Sequence, residues 1–292
     1  MSNERPSRAY VVGVYAKRIM RWQRTSTPFL TVDAFAEFAD FRFSPVAWRI
    51  SELNSKDIKS AEIVFCKGEE LEPMLQAHPN ISAKVIICGN SDYEFHMIPN
   101  KLPSSVRAIF LQNSFISDNK RIFTLPIGIE NLRWGVNGHP KLLKQVSPGS
   151  LSDKVLFGPF GNTHPLRNAV IKEFSDNPGP WEVFPPKRIS GPDYAAIAQR
   201  HRFIAAVRGN GVDTHRLWES FYRGILPIVQ KDSWSCSLDD LNLPILKINE
   251  WTATELLNLY GSLPRMQFNP LNYESLWMPY WESLIKAARP LA

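Results

Sequence analysis

The chain has 292 residues, of which 44% are hydrophobic and 21% charged, which excludes a disordered or fibrous protein and suffices for one large α/β domain or two domains with their own cores. A formal net charge of +6 points to an anionic partner, whether nucleic acid, an acidic membrane surface or a phosphorylated substrate, without choosing among them. The three cysteines, Cys66, Cys88 and Cys236, are odd in number and far apart, which excludes a disulfide scaffold or a Cys-based zinc site and implies a reducing compartment.

The opening MSNERPSRAY has no apolar stretch of the signal-peptide kind, and no run reaches the ~20 apolar residues that span a bilayer, so a cytoplasmic location is expected. Residues 9–15, AYVVGVY, read as a first strand. Lys17, Arg18, Met20, Arg21 and Trp22 cluster just after it; they read as a loop, with peripheral contact at the inner face of the membrane as the alternative. Residues 61–66, 84–89 and 107–112 are short runs rich in Val, Ile and Phe without strict alternation, the pattern of strands covered on both faces of a parallel sheet. Helices are expected at 32–39 and 69–76. Residues 121–131 contain Pro126 and Gly128, so that run ends in a turn. Polar groups follow three of these strands: Asn90, Ser91 and Asp92, then Gln112 and Asn113, then Glu130 and Asn131. At the carboxyl ends of parallel strands they would converge on one rim.

Residues 139–154 lose the strand pattern and read as a linker. Strand candidates then open at Lys154, Trp181, Arg202, Leu226 and Leu243, with helices expected from Asp193, after Thr214 and over 252–260. The nearby Lys187-Arg188 pair reads as a solvated surface cluster. Alternating strands and helices on both sides of the linker predict an α/β protein of two Rossmann-like, doubly wound domains, 1–145 and 146–270, facing each other across a cleft. Residues 271–292 place Trp277, Tyr280, Trp281, Leu284 and Ile285 at helical spacing; they predict a helix that braces the two domains, or one that covers the second sheet alone.

Residues 202–230, RFIAAVRGNGVDTHRLWESFYRGILPIVQ, carry the most chemistry. A strand ends at Arg208, Gly209 and Gly211 permit φ > 0 and close backbone approach, and Asp213 or Thr214 can cap the helix that follows. With Asn210 and His215 on the same turn, this is an anion site at a helix N-terminus, where Arg216 would stand over a diphosphate and Glu219 reach a ribose. The competing reading makes Asp213 a cap only, and Arg216, Glu219 and Arg223 a surface ion-pair ladder. A second strand–turn–helix, LFGPFGNTHPLRNAV at 156–170, sets Asn162, Thr163 and Arg167 at another helix start. Capping by Asn162 or Thr163, with Pro165 in the first turn, is part of its role.

The string FIAAVRGNGVDTHRLWESFYRGILPIV, 203–229, resembles the exostosin-like branch of the GT-B glycosyltransferases, where an Arg-Gly loop precedes a D-x-x-R-x-x-E helix and a G-x-x-P-V strand. Ile228 stands where Val is usual, and LPILKINEW at 243–251 is similar to the family's next strand. The resemblance implies GT-B architecture and transfer of a sugar from a nucleoside-diphosphate-sugar donor to a hydroxyl of a glycan or lipid-linked glycan, inverting and without a metal or other cofactor, in bacterial cell-surface polysaccharide synthesis. It implies Glu219 on the ribose and Arg208 and Arg216 at the diphosphate, with Gly209, Asn210, Gly211 and Thr214 beside them and Asn162, Thr163 and Arg167 on the loop after the donor domain's first strand. An N-S-D turn at 90–92 and P-I-G-x-E-N at 126–131 also resemble bacterial GT-B segments, and make Asp92 or Glu130 the general base. The local alternative is an Asx turn at 90–92 and capping or pairing by Glu130.

Absences narrow the field. There is no D-x-D, the metal-chelating signature of the other major glycosyltransferase fold, and no P-loop or G-x-G-x-x-G after a first strand, which counts against ATPases and dehydrogenases. His164 and His215 lie on cleft loops but in no metal-ligand spacing. No RRM, KH or helix-turn-helix signature supports a nucleic-acid partner. A nucleotide-sugar epimerase of the same architecture and a non-catalytic polyanion-binding protein are the alternatives.

Overall fold

A computed structural model describes residues 27–43, 57–98, 102–116, 120–131, 139–143, 151–187, 189–263 and 268–288. The strand expected at 9–15, the basic and aromatic cluster at 17–22 and Arg188 lie outside these residues.

Two parallel five-stranded sheets organise the chain. The first holds β1 (Phe41–Phe43), β2 (Ile63–Cys66), β3 (Val85–Cys88), β4 (Ala108–Leu111) and β5 (Ile122–Thr124), side by side in chain order. The inner strands β2, β3 and β4 are buried at every position while β1 and β5 at the edges are half-buried, which is why the inner runs show no alternation. Helix α1 (Val32–Glu37) starts where Thr31 Oγ1 accepts the Ala34 N–H at 3.1 Å, and ends two residues before the expected boundary. The helix expected at 69–76 divides into a 3₁₀ turn, Gly68–Glu70, and α2 (Leu71–Ala77).

The second sheet holds β6 (Ser152–Phe157), β7 (Trp181–Val183), β8 (His201–Ala205), β9 (Leu226–Gln230) and β10 (Leu246–Ile248), in the spatial order β10-β9-β8-β6-β7. Its helices are α3 (Pro165–Asp176), α4 (Gly191–Ala198), α5 (His215–Tyr222), α6 (Ser233–Ser237) and α7 (Ala253–Tyr260), and α8 (Met278–Ala288) closes the described chain. β6 begins at Ser152, so the end of the expected linker is strand. The strand order reverses between β6 and β8, the doubly wound pattern. The described strands of the first sheet follow one another in chain order, and the strand expected at 9–15 lies outside the described residues.

The largest apolar cluster is continuous across both sheets. It joins Phe35, Phe65, Ile87 and Phe110 on one side to Phe157, Phe203 and Trp218 on the other, and takes in Trp281 and Ile285 of α8. Trp281 meets Phe35 edge-on at 5.7 Å, while Trp277 packs on Phe29 and Tyr222 at 5.6 and 5.3 Å. Each sheet's opposite face has a smaller cluster of its own, containing the buried thiols Cys66 and Cys88 in the first sheet.

Candidate active site

The carboxyl ends of the two sheets meet along a polar seam. The Asp213 N–H donates to Asn113 Oδ1 at 2.9 Å, and Asp213 Oδ2 and Oδ1 accept the Ile127 N–H and Trp218 Nε1–H, each at 2.8 Å. Asn210 Nδ2 donates to Asp92 Oδ2 at 3.2 Å, Arg208 forms an ion pair with Glu94, and His215 Nδ1 lies 2.8 Å from the Gly128 carbonyl oxygen. Asp213 is therefore a bridge between loops, not a helix cap. Burial pushes its carboxyl up to about 7, although the N–H groups of Ile127, Trp218 and Thr214 favour the ionised form.

Beside this seam a cavity of about 330 Å³ opens between the loops that follow β6 and β8. That is where the strand order reverses, the position at which α/β sheets bind ligands. Of the residues singled out from sequence, Thr163, Arg167, Gly209, Asn210, Gly211, Thr214, Arg216 and Glu219 line it. A neighbouring cavity of about 430 Å³ is bounded on the first-sheet side by Glu69, Asn90, Ser91, Gln112 and Asn131. Asp92, Ile127, Glu130 and His215 line both, forming their shared wall.

Arg208 and Asn162 line neither cavity. Arg208 is drawn to Glu94, and Asn162 accepts the Asn168 side-chain amide at 3.0 Å at the exposed start of α3. The cap of α3 is neither Asn162 nor Thr163 but His164, whose Nδ1 accepts the Leu166 N–H at 3.2 Å, leaving Thr163 to accept from Arg167. Thr214 occupies the cap position of α5 by its backbone alone; its buried Oγ1 has no hydrogen-bond partner among the described residues.

Gly209 and Gly211 do not use the positive φ open to glycine, whereas Gly128, Gly158 and Gly224 do. They are needed for close approach by protein side chains. A Cβ on Gly211 would stand 2.8 Å from Asn113 Nδ2, and one on Gly209 would stand 3.0 Å from Arg167 Nη2.

A row of cations and rings runs from the cavity lining, at Arg167, Arg216 and Tyr194, into the protein at Phe160 and Arg223. Arg167 lies 5.3 Å from the Phe160 centroid, Arg216 sits 4.5 and 4.7 Å from the Phe160 and Tyr194 centroids, and Arg223 is 5.8 Å from the Tyr194 centroid. Backbone carbonyls fix the guanidinium groups: Arg216 donates to Gly158 and Pro159, Arg167 to Gly161, Val207 and Arg208, and Arg223 to Leu142. None of the three enters an ion pair with a carboxylate among the described residues. Burial and the neighbouring Arg216 charge lower Arg167 to about 10.

Glu219 is the carboxylate beside this stack. It is 4% exposed, faces the cavity, and makes no side-chain hydrogen bond among the described residues. Burial raises its carboxyl above the ordinary range, with His215, Arg223 and Arg216 pulling it back and Glu130 pushing it further. With Glu219 buried and Arg223 only 1% exposed, the surface ion-pair ladder is excluded.

Three contributors escaped sequence reasoning. Lys187 is exposed, as expected of a solvated cluster, yet also lines the cavity; Tyr194 supplies the second ring of the stack; Glu94 neutralises Arg208. The helical period of α4, with Tyr194 and Ala198 both buried, signals that Tyr194 points inward but not what it meets.

Among the described residues no three His, Cys, Asp or Glu side chains are grouped to hold a metal ion, and no helix is long and apolar enough to cross a membrane. No protein-family model matches the chain, and no curated protein matches it. The fold and cleft define a mixed α/β protein with two parallel sheets, consistent with a Rossmann-like two-domain arrangement, and a polar cavity lined by arginines and carboxylates where their carboxyl ends meet.

Proposed function

We propose that this protein is a GT-B glycosyltransferase of the exostosin-like kind, transferring a sugar from a nucleoside-diphosphate donor to a hydroxyl acceptor with inversion. One observation carries the reading: Arg167 and Arg216 line the cavity, set against Phe160 and Tyr194 and held by backbone carbonyls, with no carboxylate ion-paired to either among the described residues. The lining carboxylates Asp92, Glu130, Asp213 and Glu219 offset the charge of the cavity as a whole, so the positive charge open to a ligand is local to the two guanidinium groups. Charge drawn out of water without an ionic partner costs roughly several kcal/mol per ion, so this end of the cavity favours an anion. A diphosphate at the switch point meets this demand.

In this reading Arg216 and the first-turn N–H groups of α5 hold the diphosphate. A guanidinium has five N–H groups; Arg216 spends two on Gly158 and Pro159 and keeps the rest for a ligand. Arg167 spends its donors mainly on the two loops, so its part is to shape the site and add charge. Glu219, with no side-chain hydrogen bond among the described residues, suits the paired hydroxyls of a ribose. Negative charge that grows on the departing diphosphate then meets fixed cations that need no reorganisation. The acceptor enters from the neighbouring cavity, so donor and acceptor meet at the wall of Asp92, Glu130 and His215.

Thermal denaturation with UDP, GDP, CMP and dTDP tests the proposal. One nucleotide should stabilise the protein by about 2.7 kcal/mol at 100 times its dissociation constant. No shift with any of them at millimolar concentration would sink it.

A further inference from the structure

We infer that the imidazole of His215, rather than a carboxylate, takes the proton from the acceptor hydroxyl; this rests on the sugar-transfer reading above. His215 opens α5 and lines both cavities, so its ring belongs to the wall at which donor and acceptor meet. Its Nδ1 lies 2.8 Å from the Gly128 carbonyl oxygen. A carbonyl only accepts, so Nδ1 carries the hydrogen and the neutral ring has its lone pair on Nε2.

The group that fixes this tautomer is itself held. Gly128 has φ +67, its carbonyl is followed by the Ile129 N–H bonded to Leu30 O at 2.8 Å, and a Cβ there would stand 2.1 Å from that same Leu30 oxygen. Only glycine fits the turn that aims the carbonyl at His215. Glu219 lies four residues further along α5, on the same helical face, and its charge interacts favourably with His215. A buried carboxylate there stabilises the imidazolium that proton transfer creates. Of the carboxylates on the wall, Asp92 is exposed and already accepts the Asn210 amide.

The acceptor O–H gives its proton to Nε2 while its oxygen forms a bond to the anomeric carbon. The bond from that carbon to the diphosphate oxygen breaks, and the diphosphate leaves with the bonding pair. The imidazolium then releases its proton to solvent, restoring the neutral ring.

His215→Asn retains a side-chain N–H for the Gly128 carbonyl but has no basic nitrogen. Two quantities decide: calorimetric affinity for the nucleoside diphosphate that stabilises the wild type, and release of that diphosphate from its nucleotide sugar with water as acceptor. Unchanged affinity with release slowed ~10²–10⁴-fold is the expected result. Wild-type release in His215→Asn, together with its loss in Glu130→Gln or Asp92→Asn, overturns the assignment in favour of a carboxylate. A wild type that binds no nucleoside diphosphate removes the underlying reading instead, and the imidazole with it. Proton–nitrogen NMR of the wild-type side chains needs no variant to fold: His215 should carry its hydrogen on Nδ1, and hydrogen on Nε2 alone overturns the inference.

Discussion

Asp213 and Ile127 stand 86 residues apart, and the carboxylate of the first accepts the backbone N–H of the second at 2.8 Å, tying the loop after β8 to the loop after β5. The same carboxylate accepts Trp218 Nε1–H on its other oxygen. Asp213→Asn replaces one oxygen by an amide donor, so one of the two N–H groups loses its acceptor. A loss of about 1–3 kcal/mol is expected under acid conditions. The pH dependence has a definite sign. Asp213 titrates at about 7 in the fold and near ~4 when unfolded, so between these values the folded state holds a proton that the unfolded state has released. Wild-type stability therefore falls as pH rises from about 4 to 7 and levels off above. Glu219 is shifted the same way, so the difference between wild type and variant isolates Asp213. Urea midpoints across this window should converge as pH rises; parallel curves would show that Asp213 does not titrate there.

Gly211→Ala tests the same seam from the opposite side. Its Cβ would come within 2.8 Å of Asn113 Nδ2 and 3.0 Å of Asn113 Oδ1, the atom that accepts the Asp213 N–H. Asn113 is itself buried, so it has little room to retreat. A loss of about 1–3 kcal/mol in denaturant stability is expected. A variant as stable as the wild type would mean the two loops are not in contact in solution.

The second sheet was largely legible in the sequence because its strand–turn–helix units are local: apolar runs end in Gly, Asn and Asp, and helix starts follow within a few residues. Local order also placed Thr163, Gly209, Gly211, Arg216 and Glu219 at carboxyl strand ends, and the fold gathers them in one cavity. What the arginines touch was not legible. Arg216 is fixed by carbonyls 57 and 58 residues away, and Arg208 is neutralised by Glu94 at a separation of 114. Residue type sets a side chain's donors, but only the tertiary fold decides which acceptors they meet. For the same reason Arg208 could be picked as a phosphate ligand from its place after a strand, and the fold turns it aside.

Arg216→Lys distinguishes a stacked guanidinium from a mere positive charge. Lysine keeps the charge but lacks the planar fork that reaches Gly158 and Pro159 and the flat face set against Phe160 and Tyr194. If the stack presents the remaining N–H groups to a diphosphate, the substitution should weaken nucleotide affinity ~10-fold or more, and Arg216→Ala should slow transfer ~10²-fold. Affinity in Arg216→Lys equal to the wild type would mean that charge alone suffices.

Glu219→Gln should move stability and binding in opposite directions. The carboxyl is buried without a side-chain hydrogen bond among the described residues, and desolvation outweighs the pull of the nearby cations, so the fold disfavours its ionised form. A neutral amide of the same shape removes that cost, and a gain of ~1 kcal/mol would raise Tm by ~2–4 °C. The amide also replaces one acceptor with a donor, so it cannot receive two ribose hydroxyls as the carboxylate would. Nucleotide affinity should therefore fall ~10-fold while the unliganded protein becomes harder to melt. Proteins commonly retain such destabilising groups where a ligand needs them. Scanning calorimetry of the free protein and titration with the stabilising nucleotide report the two effects separately. A variant that melts higher yet binds as tightly as the wild type would leave Glu219 outside the ligand site.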